Sequence, residues 1–285
     1  MPREFVCRLC AATPLTPILS LGRTPLANAL LDDEALKRVE PTYPLDLAFC
    51  PACALLQITE QIPPEALFRD YVYFSSYSDT MLNHARELAS RMIASRGLGP
   101  DSLVIEAASN DGYLLKNYRA AGMPVLGLEP ARNIARHARE VNEIPTREDF
   151  FTAALAHQLA AEGLCADVFH AHNVLAHVPD LNGFVAGIAT VLRPTGVAVI
   201  EVPYVANMLS ECEFDTIYHE HLCYFSLTAL DRCFRRHGLM ITDVERVAIH
   251  GGSLRLFASP RAAGAGERPL AAVAAHTGGT RAARP

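Results

Sequence analysis

Apolar residues along this chain change period several times, and each change marks an element. From residue 102 the chain reads SLVIEAASNDGYLLKNYRAAGMPVLGLEP. The apolar run LVIEA predicts a short buried strand. ASNDG predicts a turn, because Asn and Asp tolerate left-handed backbone and Gly permits close approach. YLLKNYRAAG carries its apolar residues at helical spacing and stops at Gly122, and VLGLEP predicts the next strand. The alternation continues with NIARHAREV as helix, ADVFHAHNV as strand, LNGFVAGIATVLRPTG as helix and VAVIEVP as strand. Strands alternating with helices predict an α/β fold with a parallel, doubly wound, Rossmann-like sheet. Upstream, Met81, Leu82, Ala85, Leu88, Ala89 and Met92 recur at helical spacing and predict a helix leading into that sheet. Pro63-Pro64 closes a separate first unit. The expected division is a small domain over 1–66, the α/β domain with its lead-in over 67–258, and a flexible Ala/Gly-rich tail over 259–285.

The first unit is too small and loop-rich to be held by burial alone. It carries two C-x-x-C pairs, Cys7/Cys10 and Cys50/Cys53; Cys165, Cys212, Cys223 and Cys233 are scattered among apolar residues. Each pair places two thiolates on one tight turn, and four thiolates suit a closed, tetrahedral, structural Zn²⁺ site. Redox-active or free cysteines are the alternative. Half of the 285 residues are apolar, 20% are charged and the net charge is −6. This balance gives no sign of a nucleic-acid or membrane surface. The amino terminus MPREFVCRLC lacks the apolar core of a signal peptide, so a cytosolic protein is expected.

A doubly wound sheet binds ligands at the carboxyl ends of its strands. The residues expected there are Glu106, Ala108, Asn110, Asp111 and Gly112 on the first turn, then Glu129, Asp149, Asn173 and Glu201. Glu129 is placed to accept hydrogen bonds from two ribose hydroxyls. The first turn lacks G-x-G-x-x-G, and Glu106 and Asp111 would repel a pyrophosphate. The same carboxylates favour a cationic ligand such as S-adenosylmethionine. The segment YVYFSSYS, with Tyr73 and Tyr77, reads equally as a helix cap or as the lining of a polar pocket.

Near the end of the α/β unit stands EFDTIYHEHLCYF, with Tyr218, His219, Glu220 and His221 in a row. Histidines at i and i+2 do not share a helix face, so a helical zinc-protease site is excluded. A metal in strand geometry stays open, as does a buried structural histidine.

The motifs C-x-x-C…C-x-x-C, YVYFSSYS, EAASNDGYLL, GLEP, HNVLAHVPD, EVPY, FDTIYHEHLCYFSL and HGGSLR occur in this order from Cys7 to about Arg255. Together they resemble the S-adenosylmethionine-dependent sugar C-methyltransferases of the tetronitrose and mycarose type, which act on carbon-3 of nucleotide-linked 4-keto-deoxysugars. The resemblance implies a class I methyltransferase domain behind a zinc domain. It implies His221 as the base that removes a proton beside the ketone, with Tyr218 and Glu220 touching the sugar or orienting the base and enolate. His177 would be a second histidine of the pocket, Asn173 would lie by the methionine end of the cofactor, and Tyr73 and Tyr77 would close over the substrate. Histidine suits the task because its pKa lies near working pH. His219, alternating away from His221 in an extended segment, is expected to be supporting. The family normally continues past HGGSLR with another α/β domain that helps hold the nucleotide; here 25 residues rich in Ala and Gly follow. An oxygen or nitrogen methyltransferase, and a non-catalytic protein binding zinc and S-adenosylmethionine, are the competing expectations.

Overall fold

A computed structural model describes residues 5–68 and 72–261. In chain order its elements are β1 (Thr16–Thr24), β2 (Tyr43–Phe49), β3 (Leu56–Ile58), α1 (Pro64–Phe68), α2 (Asp79–Arg96), β4 (Val104–Ala107), α3 (Leu115–Ala120), β5 (Val125–Leu128), α4 (Arg132–Glu140), β6 (Thr146–Arg147), α5 (Ala153–Ala161), β7 (Ala166–His172), α6 (Leu181–Val191), β8 (Leu192–Pro203), α7 (Val205–Ser210), β9 (Cys223–Tyr224), α8 (Leu227–Arg236), β10 (Leu239–Val247) and β11 (Ser253–Pro260).

The larger sheet has the order β10-β11-β8-β7-β4-β5-β6. Strands β6, β5, β4, β7 and β8 run parallel; β11 pairs antiparallel with β8, and β10 antiparallel with β11. The sheet is therefore mixed, a correction to the parallel sheet expected from the alternation. The hairpin β10–β11 extends it past the last parallel strand. Its four-residue central strands β4 and β5 are buried along their whole length. That burial on both faces is why they read as continuous apolar runs.

Two more expectations shift. The helix expected through Gly196 ends at Val191, and Leu192 opens β8. Pro194 disfavours helical backbone at the residue before it. Of the tail expected over 259–285, Ser259 and Pro260 belong to β11 instead; residues 262–285 lie outside the described residues. The lead-in helix α2 forms as its pattern predicts. Ser78 caps it by accepting from the Met81 amide, Gly97 closes it at φ 61°, and Met81, Ala85, Leu88, Ala89 and Met92 are its buried face.

The smaller sheet has the order β1-β2-β3-β9. Its fourth strand comes not from the amino-terminal segment but from Cys223–Tyr224, paired antiparallel with Leu56–Gln57. A single apolar core joins the two sheets: Leu45, Leu47, Leu55 and Ile58 belong to the same buried cluster as Phe169, Ile188 and Leu230. The other face of the larger sheet packs against α2 and α3 through Leu88, Met92, Leu115 and Tyr118. Among the described residues, no helix is long and apolar enough to cross a membrane.

Candidate active site

A cavity of about 930 Å³ opens over the carboxyl ends of the parallel strands, and Ala108, Asn110, Glu129 and Asn173 are on its wall. The turn after β4 is unusual: Ala108, Asn110 and Gly112 take φ of 48°, 50° and 81°. Gly112 adopts this freely and Asn110 tolerates it, but Ala108 does not; a Cβ on Gly112 would meet Ile144 Cγ1 at 2.6 Å. A left-handed alanine is the kind of backbone outlier that clusters at ligand sites. Asn110 ties the turn to its surroundings. Its amide donates to Glu129 Oε2 at 2.9 Å, its Oδ1 accepts from the Ser75 amide at 2.8 Å, and its Nδ2 donates to the Tyr73 carbonyl at 3.1 Å. Glu129 Oε1 accepts from the Ala131 amide at 2.8 Å. The segment YVYFSSYS thus serves both purposes expected of it: Ser78 caps α2, while Tyr73 and Ser75 line the cavity.

Other expected residues stand behind the wall. Glu106 is 1% exposed and its Oε2 has no partner. Burial, with Glu129 and Asp111 nearby, holds its carboxyl well above the usual range. That shift favours the neutral form of Glu106 and so weakens the repulsion of a pyrophosphate expected from its charge. Asp111 is wholly buried and accepts from the Ser76 amide at 3.3 Å. Gly112 shapes the turn rather than the cavity wall. Asp149 is exposed and the cavity is reached instead by its neighbours Phe150 and Phe151. Tyr77 is 81% exposed and stacks on Phe74, away from the cavity.

The histidines meet at the other end. His177 and His221 line the cavity with ring centroids 4.8 Å apart, and Tyr218 lies beside His221 at 4.4 Å. Residues 218–221 form a tight turn closed by the His221 amide on the Tyr218 carbonyl at 3.0 Å, not the extended segment expected. His221 Nδ1 lies 2.9 Å from the Thr216 carbonyl. A carbonyl only accepts, so Nδ1 carries the proton and Nε2 carries the lone pair. That Nε2 is 3.3 Å from the Tyr218 hydroxyl. Burial pushes the His221 imidazole down to about 4, below the near-neutral value expected of it. Burial, then the nearby His221, pushes His177 down to about 3. Both rings are neutral at physiological pH. The turn sends its middle residues the other way: His219 Nε2 lies 3.1 Å from the Pro44 carbonyl, and Glu220 accepts from Asn28. His219 and His221 face different partners, so they offer no shared point for a metal.

A buried network escaped the sequence reading. Glu201, wholly buried on β8, accepts from Arg255 Nε at 2.6 Å, and His84 Nε2 and His172 Nδ1 approach it at 2.9 and 3.0 Å. Strand pairing sets Arg255 directly opposite Glu201. His172 continues to His170 at 2.9 Å and His170 to the Tyr118 hydroxyl at 2.9 Å. His84, His172 and Glu201 are close enough together to hold an ion. The guanidinium already supplies their positive charge, with its NH2 2.9 Å from His84 Nε2. Arg255 lies in HGGSLR and Glu201 in EVPY, but their pairing depends on the antiparallel strand that the alternation did not predict.

The four cysteines of the two C-x-x-C turns converge. Their sulfurs all lie within 4.8 Å of one another, with Cys7 to Cys53 at 3.4 Å and Cys10 to Cys50 at 3.6 Å. Tetrahedral zinc with bonds of about 2.3 Å needs sulfurs ~3.8 Å apart, so the donor set fits that ion. The hydrogen bond from the Cys53 thiol pulls Cys7 down to about 5 and raises Cys53 in return. Each turn is fastened to the larger unit. Asn182 Nδ2 donates to the Arg8 and Leu9 carbonyls at 3.1 and 3.0 Å, and the Ser226 hydroxyl donates to the Ala54 carbonyl at 3.2 Å.

A family model described as "Methyltransferase domain" matches residues 81–244, more than half of the 285 residues. The chain belongs to this methyltransferase family. A second model, described as "Putative zinc binding domain", matches residues 7–68, the segment that carries the four converging cysteines. C-methyltransferase NovU of Streptomyces niveus is 38% identical over 268 residues, covering 93% of this chain and 63% of that relative. The chain thus spans less than two thirds of that relative's length. In fold, the chain is similar to an S-adenosylmethionine-dependent methyltransferase from Clostridium acetobutylicum ATCC 824, with a TM-score of 0.51 and 10% identity over 64% of this chain and 92% of that one.

The cavity also offers hydrogen-bond acceptors that fit S-adenosylmethionine. Asn173 Oδ1 is buried without a partner, an acceptor suited to an ammonium group. Glu129 is the acceptor suited to ribose hydroxyls, yet burial raises its carboxyl to about 7. Accepting from both hydroxyls requires the ionised form. S-adenosylmethionine affinity is therefore expected to rise as pH climbs from 6 to 8 and to flatten above. Calorimetry near pH 7 in buffers of different ionisation heat should show proton release on binding, and Glu129→Gln should remove it.

Proposed function

We propose that the protein is an S-adenosylmethionine-dependent C-methyltransferase acting on the carbon beside a ketone, carbon-3 of a nucleotide-linked 4-keto-deoxysugar. The observation that carries this reading is the His221 tautomer: Nδ1–H is committed to the Thr216 carbonyl, and a neutral Nε2 is left as a proton acceptor at the cavity. Oxygen and nitrogen acceptors already carry a lone pair to attack with, so a buried base of this kind matters most for a carbon acid.

S-adenosylmethionine supplies, when bound, an electrophilic methyl group on a positively charged sulfur. His221 Nε2 takes the proton from the carbon, and the electron pair moves onto the ketone oxygen. The Tyr218 hydroxyl and the His177 ring are placed to stabilise that oxygen as its charge grows. Both imidazoles being neutral, neither adds a fixed positive charge that would oppose a sulfonium in the same cavity. Glu129, Asn173 and the left-handed turn at Ala108 and Asn110 hold the cofactor. Tyr73 lies on the wall for the sugar. The cysteine cluster holds structural zinc. The relative's designation as a C-methyltransferase supports the reaction class.

A 4-keto sugar has two carbons flanking its carbonyl, and the test separates them. The protein is incubated with a thymidine diphosphate 4-keto-6-deoxyhexose in deuterated water, and proton spectra follow each position. Exchange at carbon-3 is the expected result. Exchange at carbon-5 alone would move the reaction to the other side of the ketone. The absence of exchange, together with methylation of an alcohol or amine acceptor, would overturn the carbon-acid reading.

A further inference from the structure

The turn that carries His221 has two sides, and they belong to different parts of the molecule. Tyr218 and His221 line the cavity. His219 and Glu220, 1% and 3% exposed, point into the zinc-bearing unit. His219 meets the Pro44 carbonyl at 3.1 Å and the edge of the Tyr43 ring, with centroids 5.9 Å apart. Glu220 Oε1 accepts from Asn28 Nδ2 at 2.7 Å, across 192 residues of sequence. Asn28 lies in the excursion between the two cysteine turns, which neither the metal nor the cavity otherwise explains. Immediately after the turn, Leu222 accepts from the Ile58 amide at 3.1 Å and donates to the Ala176 carbonyl at 2.8 Å, beside His177. The chain then enters β9, the fourth strand of the small sheet.

Glu220 Oε2 is buried with no partner. Asn28 is thus the only side chain among the described residues recorded as donating to this carboxyl. A buried carboxyl that loses its donor moves towards water. Here such a movement would drag His221, its immediate neighbour in the same turn.

We propose that Asn28 is a positioning residue for the reaction: by holding Glu220, it fixes the turn that presents His221 Nε2 to the substrate. The inference rests on His221 being the base. It assigns Glu220 to the rear of the turn instead of to contact with the sugar, and it makes the excursion of the zinc-bearing unit a working part of the site.

The test uses the full chain with its zinc and the same thymidine diphosphate 4-keto sugar in deuterated water. Asn28→Ala should slow exchange by about 10- to 100-fold, the usual effect of displacing a catalytic group by an ångström or so. S-adenosylmethionine affinity and zinc content should match the wild type. In a Glu220→Gln background the same substitution should cost far less, because the partner that it serves has been altered. Asn28→Asp sets two carboxyls against each other. It should work best where the pair shares one proton and lose activity as rising pH ionises both, a limb that the wild type lacks. Wild-type exchange in Asn28→Ala, or an equal loss in both backgrounds, would overturn the proposal. If the wild type exchanges no keto sugar at all, the carbon-acid reading fails by itself. The ring ¹H–¹⁵N signals of His221 then decide the matter: they shift in Asn28→Ala if Asn28 positions the turn, and unshifted signals would sink the idea.

Discussion

His221→Ala is expected to lower methyl transfer by about 10²- to 10⁴-fold, the range associated with a positioned general base. Exchange of the carbon-bound proton should fall with it, while S-adenosylmethionine still binds. The reason lies in the geometry of one ring. The Thr216 carbonyl fixes the tautomer, and burial holds the ring down to about 4, so Nε2 is unprotonated throughout the neutral range. At saturating S-adenosylmethionine the wild-type rate should be level there and decline only as pH falls towards 4. The sign of the stability effect is the same. His221, His177 and His170 all have folded pKa values lowered by burial from the ordinary 6.5. Their stabilising contribution is complete above the unfolded value and is lost as pH falls below it towards the folded ones. Acid rate profiles therefore need circular dichroism recorded alongside, to separate protonation of the base from unfolding. Undiminished exchange in His221→Ala would remove this residue from the chemistry.

Loss of the metal should have the broadest effect on the molecule. Elemental analysis of freshly purified, reduced protein is expected to give one zinc per chain. Cysteine-bound zinc contributes on the order of 10 kcal/mol to folding, comparable with the ~5–15 kcal/mol stability of a whole domain. Cys7, Cys50 and Cys53 are part of the core that continues under α5, α6 and α8. Chelation, or Cys50→Ser, should therefore lower the thermal midpoint of the whole unit and stop methyl transfer. Cys165→Ser, outside the cluster, should leave the zinc content unchanged. A chelated protein that melts at the wild-type temperature would show that the four sulfurs do not need an ion.

The alternation of strands and helices was legible because β4, β5, β7 and β8 are buried on both faces and α2 on one, so burial wrote its period into the residues. The hairpin β10–β11 was not. LMITDVERV faces water in part, SLRLFASP is mostly buried, and their pairing depends on register instead of period. Residue types at the site were legible from motif order, but not their orientation. Glu106 keeps the same letter whether ionised or neutral, and only its 1% exposure reveals the burial that raises its pKa. Asp149 stands next to two residues that reach the cavity and does not reach it itself. In the turn Tyr218–His221 the residues divide two and two, outer pair to the cavity and inner pair to the zinc-bearing unit, where an extended strand would have alternated them. Asn28 is too distant in sequence for any local pattern to reveal.

The fourth strand of the small sheet bears on biosynthesis. Residues 56–58 leave the ribosome long before residues 223–224 exist, so β3 must wait with an unpaired edge while most of the methyltransferase unit is made. Exposed strand edges of this kind invite wrong pairing between nascent chains. The cysteine turns lie wholly upstream and can take up their ion during that interval, giving β2 and β3 a fixed frame until β9 arrives. Refolding yield should therefore depend on when zinc is supplied, and be higher when the metal is present from the first moment than when it is added after the larger sheet has formed.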